Sequence, residues 1–253
     1  MTSSLLPLVG PHALLLKRIE RCVVLSAAER DTLPGADAPT QGHPPGTPLG
    51  RADRTTTPLL IAGGWACHTR ILPDGRRQIV SLVLPGDCTN IMTSPAAALA
   101  TRCTTIALTH VVTVSMERAT TAVCTRPEEH PALARAFATF AEHEHARLLE
   151  RIVTLGRRTA IERVAYFLLE TRDRLLDVGL ARAHSFPCPL TQEVMGDTLG
   201  LSAVHVNRTL QQMRRQNLLT MQSGEVELRD PDALAEIADY QPFAVRLRSP
   251  VMG

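Results

Sequence analysis

The chain has 253 residues, 27 Lys and Arg against 25 Asp and Glu, and a formal net charge of +2. At roughly 150 residues per domain this predicts two domains, and the balanced charge excludes a globally polybasic protein, so any nucleic-acid contact has to come from local charge. Six cysteines at positions 22, 67, 88, 103, 124 and 188 form no C-x-x-C pair, and the start of the chain has no secretory leader; both features predict reduced thiols and a cytoplasmic location.

The apolar stretch Leu5 to Leu16 is interrupted by Pro7, Gly10, Pro11 and His12. It falls short of the roughly 20 apolar residues a membrane span needs, so no membrane association is expected. Positive charge is almost all arginine, since Lys17 is the only lysine. Residues 31–58 are crowded with Pro, Gly and Thr and suit loops and turns between short strands. The pattern sharpens at Leu59-Leu60-Ile61, then Gly63-Gly64, then Ala66 to Leu72. A turn at Pro73-Asp74-Gly75 leads into Gln78 to Leu84, which ends at Pro85-Gly86-Asp87. Asp-Gly between two apolar runs is a hairpin signal. One further β-rich run is expected from Thr104 to Met116. Short strands separated by turns predict a β-sandwich or β-roll.

At His130 the character changes. Pro131 suits a first helical position, and a helix is expected to run to Leu155 before Gly156. Within it Ala134, Ala138, Ala141, His145, Leu148, Ile152 and Leu155 recur at alternating spacings of four and three. Such a seam fits a two-stranded coiled coil between two copies of the chain, although a short seam also occurs in ordinary cores. Leu133, Phe137 and Phe140 form a second stripe beside it. In a two-fold dimer His145 would approach its own copy, where it could set register, respond to pH, or be a silent hydrogen-bonded histidine. His143-Glu144-His145 resembles a metal motif only superficially, because residues i and i+2 point to different sides of a helix; no metal site is expected. A second helix is predicted from Arg158 to Asp177, and Phe186-Pro187-Cys188-Pro189 punctuates the chain beyond it.

The run from Leu190 to Leu210 contains two short helices around Gly200, which supplies a tight turn, with Ser202 as a natural N-cap. In the second helix Val206, Leu210 and Met213 share one face, while Val204, Arg208, Gln211 and Arg215 lie opposite. That outward face carries Arg and Gln but no carboxylate, as a helix inserted among phosphates and base edges requires; composition alone fits a solvated amphipathic helix equally well. The charge is local, since residues 157–253 hold twelve arginines and twelve acids. The next segment favours DNA: Leu218 to Gln222, a Ser223-Gly224 turn and Glu225 to Leu228 form a hairpin placed as a wing.

With those residues in view, the chain resembles the Crp/Fnr regulators over nearly its whole length. The most specific segments are Thr191-Gln192-Glu193 through Leu210, Leu155-Gly156-Arg157-Arg158-Thr159-Ala160, Leu72 through Ile79, and Leu84-Pro85-Gly86-Asp87. The resemblance implies an α+β protein: an N-terminal β-roll (cyclic-nucleotide-binding-like) sensor domain over residues 1–128, a long dimerisation helix over 129–156, and a C-terminal winged helix-turn-helix over 157–253. It implies a homodimer on double-stranded DNA, RNA polymerase as a partner, and a small-molecule effector of unknown identity. The rival reading, an enzyme or small-molecule-binding β-barrel whose C-terminal helices assist oligomerisation, would need a converging catalytic set, and no nucleophile-base spacing or H-x-H cluster occurs on the expected strands, so no enzymatic activity is expected. Thr191 and Gln192 match residues that set the first helix on phosphate, Ser202 matches a backbone-contacting residue, and Arg208 matches an arginine that reads guanine. Ala203, Val204, His205, Asn207 and Gln211 complete the candidate DNA-facing set. Val204 stands where many members carry a base-reading glutamate, so the familiar half-site is not implied.

For the effector, nucleotide-binding members grip the ribose with a glutamate and the phosphate with an arginine. Here no glutamate occurs between Asp87 and Glu117, which argues against cyclic AMP. Arg102 remains a candidate for an anion or a plain surface arginine. Iron–sulfur sensing needs clustered thiolates, and only Cys22 precedes Cys67. No cofactor is identified; haem stays as an alternative, with Cys67, His68, Cys88 and Met92 near the turn where haem-binding relatives place ligands. A thiol switch at Cys88 or Cys103 is a further alternative, and buried structural cysteine is the plain one.

Overall fold

The computed structural model describes residues 10–49, 58–91 and 103–242. The chain divides into two compact units, residues 1–149 and 150–253.

In the first unit, α1 (Pro11–Glu20) opens with proline in its first turn and buries Leu14, Leu15 and Ile19. The Gly10-Pro11 pair that interrupts the apolar stretch therefore starts a helix, because proline's missing N–H is unneeded in a first turn. The short α2 (Ala27–Thr32) follows a Ser26 cap. Two antiparallel sheets come next. The first pairs β1 (Thr40–His43), β7 (Val111–Ser115), β2 (Leu59–Gly63) and β5 (Cys88–Thr89) in that order, and the second pairs β4 (Arg77–Val83), β3 (Ala66–Ile71) and β6 (Thr104–Ala107). The expected hairpin joins β3 to β4, with the Arg76 amide donating to the Asp74 carboxylate at 3.1 Å.

Strand β2 shows how the unit is layered. Leu60 and Ala62 belong to one apolar cluster and Leu59 and Ile61 to another, as a strand's alternation requires when both faces are covered. The first cluster adds Leu15 and Ile19 of α1, Ala119 and Val123 of α3 (Glu117–Thr125), and Leu133 and Phe137 of α4 (Pro131–Arg157). The second adds Ala66, Val83, Ala107 and Val111. The β-rich stretch Thr104 to Met116 forms two strands. The backbone turns at Leu108, where its amide donates to the Trp65 carbonyl at 2.8 Å, and β6 and β7 enter different sheets.

Glu29 ties α2 to α4. Its side chain is 3% exposed, and Oε1 accepts from the backbone N–H groups of Ala132 and Leu133 at 2.8 and 3.0 Å. Oε2 accepts from the Ser26 amide and hydroxyl at 2.9 and 2.8 Å. The carboxylate thus satisfies two of the orphan donors of the first turn of α4 and faces the positive end of its dipole. Burial raises the carboxyl's pKa, but these hydrogen bonds outweigh it and hold the group below its ordinary value.

Helix α4 does not stop at Gly156 but continues to Arg157. In the second unit α5 (Ala160–Asp177) starts in a capping box, with the Thr159 amide donating to Glu162 at 2.8 Å. It buries Val164, Ala165, Phe167, Leu168 and Leu169. The Phe186-Pro187 punctuation is a strand: β8 (Ser185–Pro187) pairs with β10 (Glu225–Leu228), which pairs in turn with β9 (Leu219–Gln222). Proline is tolerated there because β8 is an edge strand. Helices α6 (Gln192–Leu199), α7 (Ala203–Arg215) and α8 (Pro231–Ala238) complete the unit. The α+β order expected from the sequence is the one observed. Among the described residues no helix is long and apolar enough to cross a membrane.

Candidate nucleic-acid interface

Helices α6 and α7 are each started by a side chain that accepts a backbone hydrogen bond. Thr191 accepts from the Val194 amide at 3.2 Å, and Ser202 accepts from the His205 amide at 3.2 Å. An accepting hydroxyl still has its proton to donate, so capping leaves Thr191 and Ser202 able to meet phosphate oxygens.

The turn between them depends on two glycines. Gly200 sits at φ +65°, left-handed, at the end of α6. A Cβ on Gly196 would lie 2.5 Å from the Leu201 carbonyl oxygen, so α6 and the turn leading into α7 meet backbone to backbone at that point. Met195, Leu199, Val206, Leu210 and Met213 fill the core beneath. Arg163 of α5 braces the assembly: its guanidinium donates to the carbonyls of Leu155, Arg158 and Leu199 at 3.0, 2.8 and 2.9 Å. Nothing in the sequence pattern singled out Arg163, because its partners are backbone atoms.

The face of α7 opposite the core exposes Ala203, Val204, Arg208, Gln211 and Arg215, with His205 and Asn207 half-buried beside it. Gln192 at the start of α6 donates from Nε2 to Oδ1 of Asn207 at 3.2 Å, so those two predicted residues form one unit. Arg214 donates to the Met221 carbonyl of β9 at 3.1 Å and links the helix to the wing. The wing turn at Ser223 and Gly224 has φ of +51° and +78°, the type I′ geometry favoured by two-residue hairpins. Its flank carries Glu225, exposed, and Glu227, paired with Arg229 at 3.0 Å. Exposed acidic charge thus lies on the flank of the wing, while the outer face of α7 carries Arg208 and Arg215 and no carboxylate.

Of the candidate effector residues, Met92 and Arg102 lie outside the described residues. Cys88 sits beside the Pro85-Gly86-Asp87 turn, which is held from α1. Arg18 donates to the Gly86 carbonyl at 3.1 Å, pairs with the Asp87 carboxylate, and lies 4.6 Å over the Phe140 ring. The other Asp87 oxygen accepts from the Leu84 amide at 2.7 Å. Burial pushes the Cys88 thiol up to about 12, Arg18 opposing and Asp87 adding to the rise. That burial favours the protonated thiol over the thiolate. Cys188, fully buried, is likewise pushed up to about 12 by burial. Within the His143-Glu144-His145 run, Glu144 accepts from Arg147 at 2.6 Å, and burial together with the Arg147 and Arg18 charges pushes His143 down to about 4. Among the described residues no cluster of three or more His, Cys, Asp or Glu could hold a metal ion.

Residues 162–237 match the Crp-like helix-turn-helix domain. The chain is 32% identical over 192 residues to the nitrogen fixation regulation protein FixK of Bradyrhizobium diazoefficiens, covering 76% of this chain and 78% of that protein. It is 31% identical to the transcriptional activatory protein AadR of Rhodopseudomonas palustris, over 66% of this chain and 68% of that one. Among solved structures, FixK2 from Bradyrhizobium japonicum superposes with a TM-score of 0.67 at 25% identity, over 81% of this chain and 98% of that one. The CRP-family regulator TTHB099 from Thermus thermophilus, at 22% identity and a TM-score of 0.58 over 81% and 99%, shares the fold. The fold, the match to the Crp-like helix-turn-helix domain and the likeness to FixK over most of both chains establish that this chain belongs to the Crp/Fnr family of DNA-binding transcription regulators.

Proposed function

We propose that the chain acts as a homodimer in which two copies of α7 read the two halves of an inverted repeat. The observation that carries this reading is the outer face of α7: Arg208, Gln211 and Arg215 exposed, no carboxylate among them, on a helix whose opposite face is locked into a core. Arg208 takes a guanine through its O6 and N7 atoms, Asn207 and Gln192 act as a hydrogen-bonded pair, and Thr191, Ser202, Ala203, Val204, His205 and Gln211 complete the contact. Two recognition helices related by a dyad engage half-sites about 34 Å, one turn, apart.

Dimerisation is assigned to α4, with residues 1–128, 129–156 and 157–253 serving as β-roll, dimerisation helix and DNA-binding domain. Of the seam, Ala138, Ala141, His145 and Ile152 are exposed in the single chain and Ala134, Leu148 and Leu155 are half-buried. Ile152 is 68% exposed and Leu149 beside it 52%. A twin helix would remove that apolar surface from water at about 25 cal/mol per Å². The protein is read as a non-enzymatic cytoplasmic regulator that engages RNA polymerase. Because Asp87 is committed to Arg18 and the Leu84 amide, it is not offered as a ribose clamp, and the effector is assigned to a small molecule other than cyclic AMP.

Arg208→Ala tests the interface. Binding to a palindrome selected from random duplexes should weaken by about 1–3 kcal/mol, and the guanine preference at one position per half-site should disappear, leaving weak salt-sensitive binding. Unchanged guanine preference in a competition assay would remove Arg208 from the role.

A further inference from the structure

Among the polar side chains on the outer face of α7 stands one large apolar residue. Val204 is 79% exposed in the first turn of the helix, and Ala203 beside it is exposed as well. Single exposed apolar residues are ordinary. Val204, however, lies four residues before Arg208, on the same helix face and one turn nearer the helix start. The same placement that aims Arg208 at a base edge aims Val204 at a neighbouring one.

We propose that Val204 reads the C5-methyl group of a pyrimidine, so that each half-site carries a thymine within about two base pairs of the guanine taken by Arg208. The assignment rests on the DNA-binding reading of α7. Four residues of helix rise about 6 Å and stacked bases about 3.4 Å, which sets the two-pair window. Valine has no donor or acceptor, so it cannot partner the amino and keto groups that adenine, guanine and cytosine present in the major groove, and it would strip their water without replacement. Thymine alone of the four offers an apolar group there. The β-branched side chain is stiff at χ1, so its two methyl groups meet the base with little loss of freedom. The same chemistry extends to 5-methylcytosine, whose methyl group occupies the same place, so a cytosine at this position would be bound better when methylated.

The test uses the full-length protein. Duplexes enriched from a random library define the half-site, and each of its thymines is then replaced in turn by deoxyuridine, cytosine or 5-methylcytosine, with affinity read by fluorescence anisotropy. One thymine per half-site should show a loss of about three- to tenfold on replacement by deoxyuridine, which lacks only the methyl group. At that place 5-methylcytosine should bind more tightly than cytosine. Val204→Ala, an exposed substitution compatible with the helix, should reduce the deoxyuridine penalty to about twofold or less while the guanine preference set by Arg208 persists. Indifference to deoxyuridine at every thymine of an enriched, Arg208-dependent half-site, or a penalty undiminished in Val204→Ala, overturns this assignment alone. Failure to enrich any duplex overturns the interface and the assignment with it.

Discussion

Gly196→Val should destabilise the C-terminal unit by about 3 kcal/mol and abolish DNA binding by the full-length protein. The Cβ would lie 2.5 Å from the Leu201 carbonyl oxygen and 3.5 Å from the Ala203 amide nitrogen, and neither is the movable end of a flexible side chain. Relief requires α6 to move off the turn that leads into α7, which disturbs the core of Met195, Leu199, Val206 and Leu210; overpacking of this kind costs about 1–3 kcal/mol and occasionally more. Intrinsic propensity points the other way, since valine is the better helix former, so the sign of the effect separates the two causes. Gly156→Ala is the internal control. It also lies in a helix, but its Cβ would meet nothing within 4 Å, and it should stabilise by about 0.5–1 kcal/mol. Urea unfolding of both variants, monitored by circular dichroism, gives the comparison; a stabilised Gly196→Val would show that α6 and the Leu201 turn are not in contact there.

Glu29→Ala should cost the N-terminal unit about 3 kcal/mol, because the amides of Ala132 and Leu133 lose the acceptor they have at 2.8 and 3.0 Å inside a core, and each orphaned buried donor costs about 1–3 kcal/mol. Glu29→Gln keeps one acceptor oxygen but turns a donor toward the Ser26 amide, and should fall between. The carboxylate also makes the effect depend on pH. Its folded value lies below the ordinary 4.5, so its contribution is fully present above that value and is lost as the pH falls through the folded one. The stability gap between wild type and Glu29→Gln should therefore be flat from neutral pH to about 5 and narrow below about 4.5. A gap that widens on acidification would mean that the carboxyl is held protonated instead.

How much of this protein can be read without coordinates differs from element to element. The inward set Val206, Leu210 and Met213 and the outward set Val204, Arg208, Gln211 and Arg215 lie where their spacing put them, because a 3.6-residue period is a local property of one helix. The β3–β4 hairpin follows Asp74-Gly75 for the same reason. Helix α3 escapes such reading. Its threonines favour strands in isolation, yet in the helix Thr120 and Thr125 turn their hydroxyls onto the Met116 and Thr121 carbonyls at 3.0 and 2.8 Å, and Ala119 and Val123 are buried by residues far away in sequence. Strand β8 is equally hidden, since its register exists only through the pairing of Phe186 with Val226.

Local pattern was enough for the helix-turn-helix, its cap at Ser202, its wing, and the polar outer face of α7, all of which follow from short-range periodicity and turn chemistry. It took the folded chain to reveal that Gly196 is where two backbones meet, that Glu29 caps a helix more than a hundred residues away, that Arg163 holds three carbonyls at once, and that Asp87 is taken by Arg18. Backbone acceptors and long-range ion pairs leave no periodic trace in a chain, because the identity of one partner is either any residue at all or one of many equivalent charges until folding brings them together.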